Sequence, residues 1–298
     1  MEWVTDKRTG TQTGVLFILA LIMLDFFLIG VLFSQPIGPL TFIVVVLVLA
    51  TFPLIGLIAY QLVGLARSGY DIDRNSLTIQ WGVIRQIVPT ESIQRILLGT
   101  ELEGGVSKFR GSRWPGLMNG HGELPEAGLT LFYASSPLKD QLVIMTPALS
   151  YAISPADAAG FIESIKARYE LSPTQAVAQR TEHPAFFDWP LWRDRLARGL
   201  VIAGAALWLA LFGFVTFRYP DLPATLPMHY TINGLVDRTG STSQAFILPL
   251  IGALTVIGNT LFGGLFYRRE QMAAYVLWGG MILVQVLLWI GAVNLLRA

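Results

Sequence analysis

Five long apolar stretches dominate the pattern of hydrophobic and polar positions along the chain. Each is close to or above the roughly 20 apolar residues that a helix needs to cross the hydrocarbon core of a bilayer. Continuous apolar sequence favours spanning helices over the alternating pattern of a membrane barrel. The sequence therefore predicts a multi-pass α-helical membrane protein with about five spans. The apolar runs are Gly14–Phe33, Leu40–Leu65, Gly199–Phe217, Phe246–Tyr267 and Met272–Leu296.

A more polar insert, residues 66–198, separates the second run from the third. Leu77, Ile79 and Trp81 alternate there with polar residues, which is the two-residue period of a half-buried strand. We expect six or seven strands in this insert, each bounded by turn residues. The expected strands are Tyr70–Ile72, Leu77–Trp81, Ile84–Val88, Ile93–Leu98, Leu129–Tyr133, Gln141–Met145 and Ser150–Ile153.

A helix is expected to close the insert. Ser154 is its predicted N-cap and Pro155 its first residue, because helix starts favour serine followed by proline. Strands followed by one amphipathic helix predict an inserted α+β domain, a split β-barrel or roll capped by its C-terminal helix. One apolar face of that helix holds Ala158, Phe161, Ile162, Ile165 and Tyr169.

These patterns divide the chain into four parts. A two-helix membrane hairpin (residues 1–66) precedes the strand-rich domain (67–172). A linker with interfacial aromatic and arginine residues (173–198) leads to a three-span membrane module (199–298) with an external hairpin loop at 218–245. Aromatics beside arginines are typical of a segment anchored at the level of the lipid headgroups.

Composition narrows the class of protein further. Of the 298 residues, 53% are hydrophobic and 14% are charged, against about 25% charged residues in an ordinary soluble domain. The net charge is +1 and cysteine is absent, which removes disulfides, thiolate chemistry and cysteine-bound metals. A purely soluble, a disordered and a disulfide-stapled secreted protein are thus excluded, and we expect no nucleic acid as partner.

Basic residues near the span ends predict the orientation, since cytoplasmic flanks carry the excess of arginine and lysine. With the N-terminus inside, the strand-rich domain is cytoplasmic and the C-terminus external. The first run is expected to be a retained anchor rather than a cleaved signal peptide. The inner flanks then hold Lys7, Arg8, Arg67, Arg193, Arg195, Arg198, Arg268 and Arg269, and the outer flanks hold Arg218, Arg238 and Arg297.

Several short segments of the insert, spread over roughly residues 68–171, carry a resemblance to a known family. They are Tyr70-Asp71-Ile72-Asp73, Leu77-Thr78-Ile79, Ile87-Val88-Pro89 with Ile93, and Tyr151-Ala152-Ile153-Ser154-Pro155 with Phe161-Ile162. On these segments the insert resembles the bacterial pleckstrin-homology-like (PH-like) domains. The resemblance implies a split barrel closed by a C-terminal helix, and it carries over no catalytic residues.

A basic and aromatic stretch inside the domain is a candidate contact for lipid or for a protein partner. We expect a loop at Val106–Met118, in which Lys108, Arg110 and Arg113 stand beside Trp114 with no acidic residue. Basic residues next to a membrane attract anionic lipid headgroups at about 1 kcal/mol each. The alternative is a solvated loop whose tryptophan packs onto the barrel.

The external loop between the third and fourth runs carries a second motif, whose residues include Pro223, Pro227, His229, Asn233, Gly234 and Asp237. On these residues the chain resembles the membrane domain of unknown function at the start of SdpI-type immunity proteins. The resemblance covers about residues 199–266, and the second membrane half of those proteins has no match here.

An asparagine–glycine pair in that loop predicts a two-residue hairpin turn. This register sets Tyr230 opposite Asp237 and His229 opposite Arg238, so His229 and Asp237 point to opposite faces of the hairpin. Two residues also fall short of the three or four ligands of a usual metal site. We therefore expect His229 to be structural, and Asp237 either to close the loop through backbone amides or to bind Arg238.

Asp25 is the only charged residue in the five apolar runs. An ionisable side chain near the middle of a span costs at least about 2.5 kcal/mol, so it is expected to face a partner or a cavity. Either it forms an interhelical hydrogen bond or it is a proton or cation site. The candidate partners within the membrane are Gln61, Asn259, Thr260 and Gln285.

Together these features favour a non-enzymatic integral protein of the bacterial inner membrane. The expected partners are the lipid bilayer, anionic headgroups and an unidentified protein, and the expected role is that of a scaffold, a sensor or an immunity-related protein. No sequence motif indicates a cofactor, a metal or a catalytic site. Two alternatives stay open: a small transporter or ion-conducting protein that uses Asp25, and a membrane enzyme that uses His229 and Asp237.

Overall fold

The structure is a computed structural model that describes residues 1–170, 174–233 and 236–297. The helices are α1 (Arg8–Ser34), α2 (Pro39–Ala66), α3 (Ala158–Glu170), α4 (Pro190–Arg193), α5 (Arg195–Arg218), α6 (Ile247–Phe266) and α7 (Gln271–Arg297). The strands are β1 (Glu2–Trp3), β2 (Gly69–Ile72), β3 (Ser76–Trp81), β4 (Ile84–Pro89), β5 (Arg95–Leu98), β6 (Ser107–Trp114), β7 (Leu117–Leu124), β8 (Gly128–Ala134), β9 (Leu142–Met145), β10 (Ser150–Ile153), β11 (Arg180–Glu182), β12 (Thr225–Tyr230) and β13 (Val236–Ser241).

Five of the helices, α1, α2, α5, α6 and α7, are long and apolar enough to cross a membrane. They coincide with the five apolar runs of the sequence, so the prediction of five apolar helices is confirmed. The chain divides into two compact units. The first contains Met1–Leu24 and Thr51–Pro184, and the second contains Asp25–Ala50 and the chain from Ala185 onward.

The first unit is built around two β-sheets. The first sheet has the strand order β1-β2-β3-β4-β11 and the second has the order β5-β9-β10-β8-β7-β6. Neighbouring strands are antiparallel except β8 and β10, which are parallel. Large side chains from both sheets and from α3 form one buried core, because the alternating strands turn their apolar faces toward each other. That core includes Tyr70, Ile72, Leu77, Ile79, Trp81, Val88, Leu117, Leu142, Ile144, Tyr151, Ile153, Phe161 and Ile165.

Helix α3 begins later than the sequence predicts. Asp157, not Ser154, caps it, since Asp157 accepts a hydrogen bond of 2.9 Å from the backbone N–H of Gly160. Ser154 is buried instead, and its hydroxyl accepts a 2.7 Å bond from the backbone N–H of Ser135. The serine cannot cap the helix because the chain stays extended at the next residue, Pro155, which forms a β-bridge.

The strand-rich unit takes in more of the chain than residues 67–172. Strand β1 pairs with β2, and strand β11 pairs with β4. Thr181 in β11 donates a 2.7 Å hydrogen bond to the buried side chain of Gln86, whose amide in turn donates to the hydroxyl of Tyr133. Part of the predicted linker is therefore an edge strand of the domain.

In the second unit, α5, α6 and α7 pack together beside the β12–β13 hairpin. Indole and amide side chains join these helices. Trp208 donates to the carbonyl of Pro249 at 2.9 Å, and Trp289 donates to the carbonyl of Leu207 at 3.1 Å. Leu226 of β12 is fully buried against the ends of α5 and α7, so the hairpin is packed onto the helices that precede and follow it.

Candidate binding site at the ends of the first two helices

The basic and aromatic stretch forms a β-hairpin, so the prediction of a loop was wrong. Strand β6 is the edge strand of the second sheet, and it pairs with β7 as far as the tight turn between Trp114 and Leu117. Glycines interrupt the alternation that would have revealed the strand, because Gly111 lies directly across from Gly120. Gly111 has a φ of 151°, and a Cβ there would lie 2.2 Å from the carbonyl oxygen of Asn119.

The turn of this hairpin contacts the start of α1. The indole N–H of Trp114 donates a 3.2 Å hydrogen bond to the carbonyl of Gly10, and its ring packs edge-on against Phe17 at a centroid distance of 6.3 Å. The backbones also touch, because a Cβ on Gly10 would lie 2.1 Å from the carbonyl oxygen of Gly116. Only a residue without a side chain fits at Gly10.

The middle of the hairpin contacts α2. The amide of Gln61 donates to the hydroxyl of Ser112 at 2.9 Å and accepts from the amide of Asn119 at 2.7 Å. Ser112 and Asn119 face each other across the two strands, so one glutamine bonds to both. Gln61 lies within the apolar run of α2 and is itself buried. The PH-like resemblance gave no indication of this contact.

The three basic residues of the hairpin have different surroundings. Lys108 lies in a bulge of β6 and forms an exposed ion pair of 2.9 Å with Glu123. Arg113 is exposed and lines a cavity of about 610 Å³ together with Thr9 and the hairpin turn. Arg110 is exposed, and within the described parts of the chain no carboxylate pairs with it.

The external loop forms a second hairpin, β12–β13, but its register differs from the predicted one. Tyr230 pairs with Val236 rather than with Asp237. His229 does lie opposite Arg238, as the sequence predicts. The difference arises because the register shifts on both sides of His229, so the asparagine–glycine pair alone does not determine the pairing.

The other residues of the external-loop motif lie in this hairpin and its connections. Pro227 pairs with Thr239 across the strands, and the carbonyl of Pro223 accepts a hydrogen bond from the hydroxyl of Thr242. Asn233 is exposed, and Gly234 lies outside the described residues. In the part of the chain that the structure describes, no group of three or more metal-binding side chains occurs.

Family models match both the strand-rich domain and the segment that contains the β12–β13 hairpin and parts of its neighbouring helices. Residues 68–169 match the family model of the bacterial PH domain, and residues 206–253 match a domain of unknown function, DUF1648. The chain contains a bacterial PH domain and a DUF1648 domain. DUF1648 is the domain family found in SdpI-type proteins, so both resemblances are confirmed. No curated protein and no solved structure matches the chain significantly.

The amide side chains predicted inside the membrane have hydrogen-bond partners in the structure. Asp25 is half-buried in α1. The amide of Gln285 donates to the carbonyl of Gly252 in α6 at 2.9 Å, and the amide of Asn259 donates to the carbonyl of Thr255, one turn back in its own helix. The glutamine of α2 bonds to the PH domain, as described above. These bonds join helices or stay within one helix, which is typical of structural polar groups in a bundle.

The sequence did not predict a group of four hydrogen bonds around one carboxylate, that of Asp194, which lies just before α5. One oxygen of Asp194 caps α5 by accepting from the backbone N–H groups of Leu196 (2.8 Å) and Ala197 (3.2 Å). The other accepts from the hydroxyls of Tyr275 (2.5 Å) and Tyr267 (2.8 Å). These bonds, that of Tyr275 first, hold the pKa of Asp194 below its ordinary value. An aspartate before an apolar helix signals a cap, but nothing in the sequence indicates its tyrosine partners.

Proposed function

We propose that this protein is a non-enzymatic integral protein of the bacterial inner membrane that presents its PH domain as a binding module at the cytoplasmic surface, in the role of scaffold or sensor. The observation that carries the proposal is the contact of the β6–β7 hairpin with α1 and α2. We call this contact the seat; it consists of Trp114 bonded to Gly10 and of Gln61 bonded to Ser112 and Asn119. Both α1 and α2 are helices with the length and composition of membrane spans. A domain built onto such helices is held at the membrane surface.

The contacts support a fixed domain rather than one on a flexible tether. Trp114 of the hairpin donates a hydrogen bond to α1, and Gln61 of α2 forms two hydrogen bonds with the hairpin. At Gly10 the backbone of α1 lies directly against the backbone of the hairpin turn. Leaving a buried amide without hydrogen-bond partners raises the free energy by about 1–3 kcal/mol. Separation of the domain from the helices is therefore disfavoured. The prediction of a cytoplasmic domain still rests on the distribution of arginine and lysine.

A distance measurement tests the seat. The absence of cysteine allows two spin labels on the full chain, at the exposed residues Gln12 in α1 and Glu126 in the β7–β8 turn. We expect one narrow distance distribution that is the same in detergent and in bilayers. Gln61→Leu removes the hydrogen bonds to Ser112 and Asn119 and should therefore broaden the distance distribution. A broad distribution in the unsubstituted chain would show a tethered domain and contradict the proposal.

A flux measurement separates this proposal from a transporter that uses Asp25. The purified chain is reconstituted in liposomes, and proton, sodium and potassium fluxes are compared with those of protein-free liposomes. We expect no added flux, and no difference between the unsubstituted chain and Asp25→Asn. A flux that Asp25→Asn abolishes would favour the transporter.

An immunity-related role is a second candidate, favoured by the DUF1648 match at residues 206–253. Its test is the survival of a toxin-sensitive strain that expresses the chain, with the β12–β13 hairpin intact or replaced by a short glycine–serine linker. Protection that requires the hairpin would support immunity. Equal killing of strains with and without the chain would remove this role and leave the scaffold proposal unchanged.

A further inference from the structure

We infer that Arg110 binds the phosphate of an anionic phospholipid in the membrane that α1 and α2 span, together with His121 directly across the β6–β7 hairpin. This inference rests on the proposed function, because it requires the hairpin to lie at the membrane surface. It separates Arg110 from the other two basic residues, which the sequence pattern alone could not do.

The first step is the face of the strand on which Arg110 lies. From Arg110 to Trp114 the pairing of β6 with β7 is regular, so every second residue shares a face. Arg110 therefore shares a face with Ser112 and Trp114, the two residues that contact α2 and α1. Ser112 and Arg110 are two residues apart, or about 7 Å along the strand.

The second step is the depth of that face along the helices. Gln61 lies five residues before the end of α2, or about 7.5 Å from it at 1.5 Å per residue. Gly10, which accepts the hydrogen bond from Trp114, lies two residues into α1, or about 3 Å from its start. A helix of about 40 Å extends roughly 5 Å beyond each side of a hydrocarbon core of about 30 Å, so both contacts lie near the level where headgroups meet the acyl chains. The face that carries Arg110 meets the helices at this level.

The third step is the chemistry of the pair. His121 is the direct cross-strand partner of Arg110 and is exposed like it. A guanidinium presents two parallel N–H donors that match phosphate oxygens, and a neutral imidazole adds one further N–H donor. No described carboxylate competes for Arg110. The site is open on the side away from β7, because β6 is the edge strand.

The other two basic residues lack this placement. Lys108 lies beyond the bulge and is paired with Glu123. Arg113 lies on the opposite face of β6 from Arg110 and Ser112, because it is one residue out of phase with them. Arg113→Gln removes the same charge from the same strand as Arg110→Gln, so it is a matched control for general electrostatic attraction.

The test is binding of lipid to the full chain in neutral detergent micelles, measured by native mass spectrometry during titration with phosphatidylglycerol or phosphatidylcholine. We expect preference for phosphatidylglycerol, and about fivefold weaker binding in Arg110→Gln, the loss expected for one basic residue at a membrane surface. Arg110→Lys should bind at an intermediate level, because it keeps the charge and loses the paired donors. Arg113→Gln should bind like the unsubstituted chain.

Three results would overturn the inference. Equal losses in Arg110→Gln and Arg113→Gln would show diffuse attraction without a site. Both lipids carry the same phosphodiester and only phosphatidylcholine adds a cation, so equal binding of the two would show that an anionic phospholipid is not selected. Displacement of the lipid by millimolar inorganic phosphate would show a site for free phosphate. The spin-label distance between Gln12 and Glu126 is measured on the same variants, so that failure of the lipid site and failure of the seat are distinguishable.

Discussion

Single side chains that make several hydrogen bonds at once stabilise this fold. The carboxylate of Asp194 accepts four hydrogen bonds, two from the backbone of α5 and two from tyrosine hydroxyls at the end of α6 and in α7. One side chain thus joins α5, α6 and α7 at one end. Such a group stabilises strongly only while it is ionised, because the protonated acid accepts fewer bonds.

Asp194→Asn separates the two roles of this side chain. Asparagine is as good an N-cap as aspartate, but its NH₂ group cannot accept from the tyrosine hydroxyls. We expect a loss of about 0.5–1.5 kcal/mol in the free energy of unfolding, the net contribution of hydrogen bonds that are only partly removed from water. The measurement is thermal unfolding of the full chain in detergent. Asp221→Asn, at an exposed aspartate of the same unit, is the matched control and should change nothing; equal stability of the two variants would contradict the role of these hydrogen bonds.

The pH dependence of this contribution has a definite sign. The pKa of Asp194 is lowered in the folded protein, so the aspartate stabilises the fold above its ordinary pKa of about 4, and the stabilisation disappears as the pH falls through the lower folded value. Below that range the unsubstituted chain and Asp194→Asn should unfold at the same temperature.

Tyr70 plays the corresponding part inside the PH domain. Its hydroxyl donates to the carbonyl of Tyr133 at 2.7 Å and accepts from the backbone N–H of Ser154 at 2.9 Å. Tyr70→Phe leaves both groups unpaired in the core, and we expect a loss of about 1–3 kcal/mol in thermal unfolding. Tyr169→Phe, at a tyrosine that is 63% exposed, is the control. Unchanged stability in Tyr70→Phe would show that water replaces the hydroxyl.

Burial raises the pKa of Tyr70 to about 12. The neutral hydroxyl is therefore kept in the folded domain while the unfolded chain ionises near pH 10. Stability from this group is complete below pH 10 and is lost as the pH rises toward 12. Ultraviolet absorbance of the phenolate, followed together with unfolding, checks this order; ionisation of all tyrosines near pH 10 without unfolding would contradict it.

At the scale of elements, the regular parts of the fold could be predicted and the contacts between distant segments could not. The alternation of Leu77, Ile79 and Trp81 is local, and β3 appears where it predicts a strand. Strand β6 was missed because glycine interrupts it and because Trp114 finds its partner 104 residues away, at Gly10. Gln61 is also far in sequence from Ser112 and Asn119, to which it bonds. The residue types alone therefore did not indicate the contact between the hairpin and α2.

The seat of the PH domain makes a prediction about two glycines of the same helix. A Cβ on Gly10 would lie 2.1 Å from the carbonyl oxygen of Gly116, whereas nothing lies within 4 Å of a Cβ on Gly30. Gly10→Ala should therefore separate the hairpin from α1 and raise the rate of proteolysis within the PH domain. Gly30→Ala should leave that rate unchanged, and it should stabilise α1 slightly, since alanine is a better helix former. Equal rates in the two variants would contradict a close backbone contact at Gly10.

At the scale of the whole molecule, the predicted orientation of the five apolar helices determines on which side of the membrane the proposed binding module would lie. Eight basic residues at one set of span ends against three at the other predict a cytoplasmic N-terminus and PH domain.

Because the chain has no cysteine, single cysteines can replace the exposed residues Glu126 in the PH domain, Glu270 between α6 and α7, and Thr239 in β13. In intact cells, a membrane-impermeant maleimide should label only the cysteine at Thr239, and the other two should react after the membrane is permeabilised. Labelling of Glu126→Cys in intact cells would place the PH domain outside and contradict its proposed role as a binding module at the cytoplasmic surface.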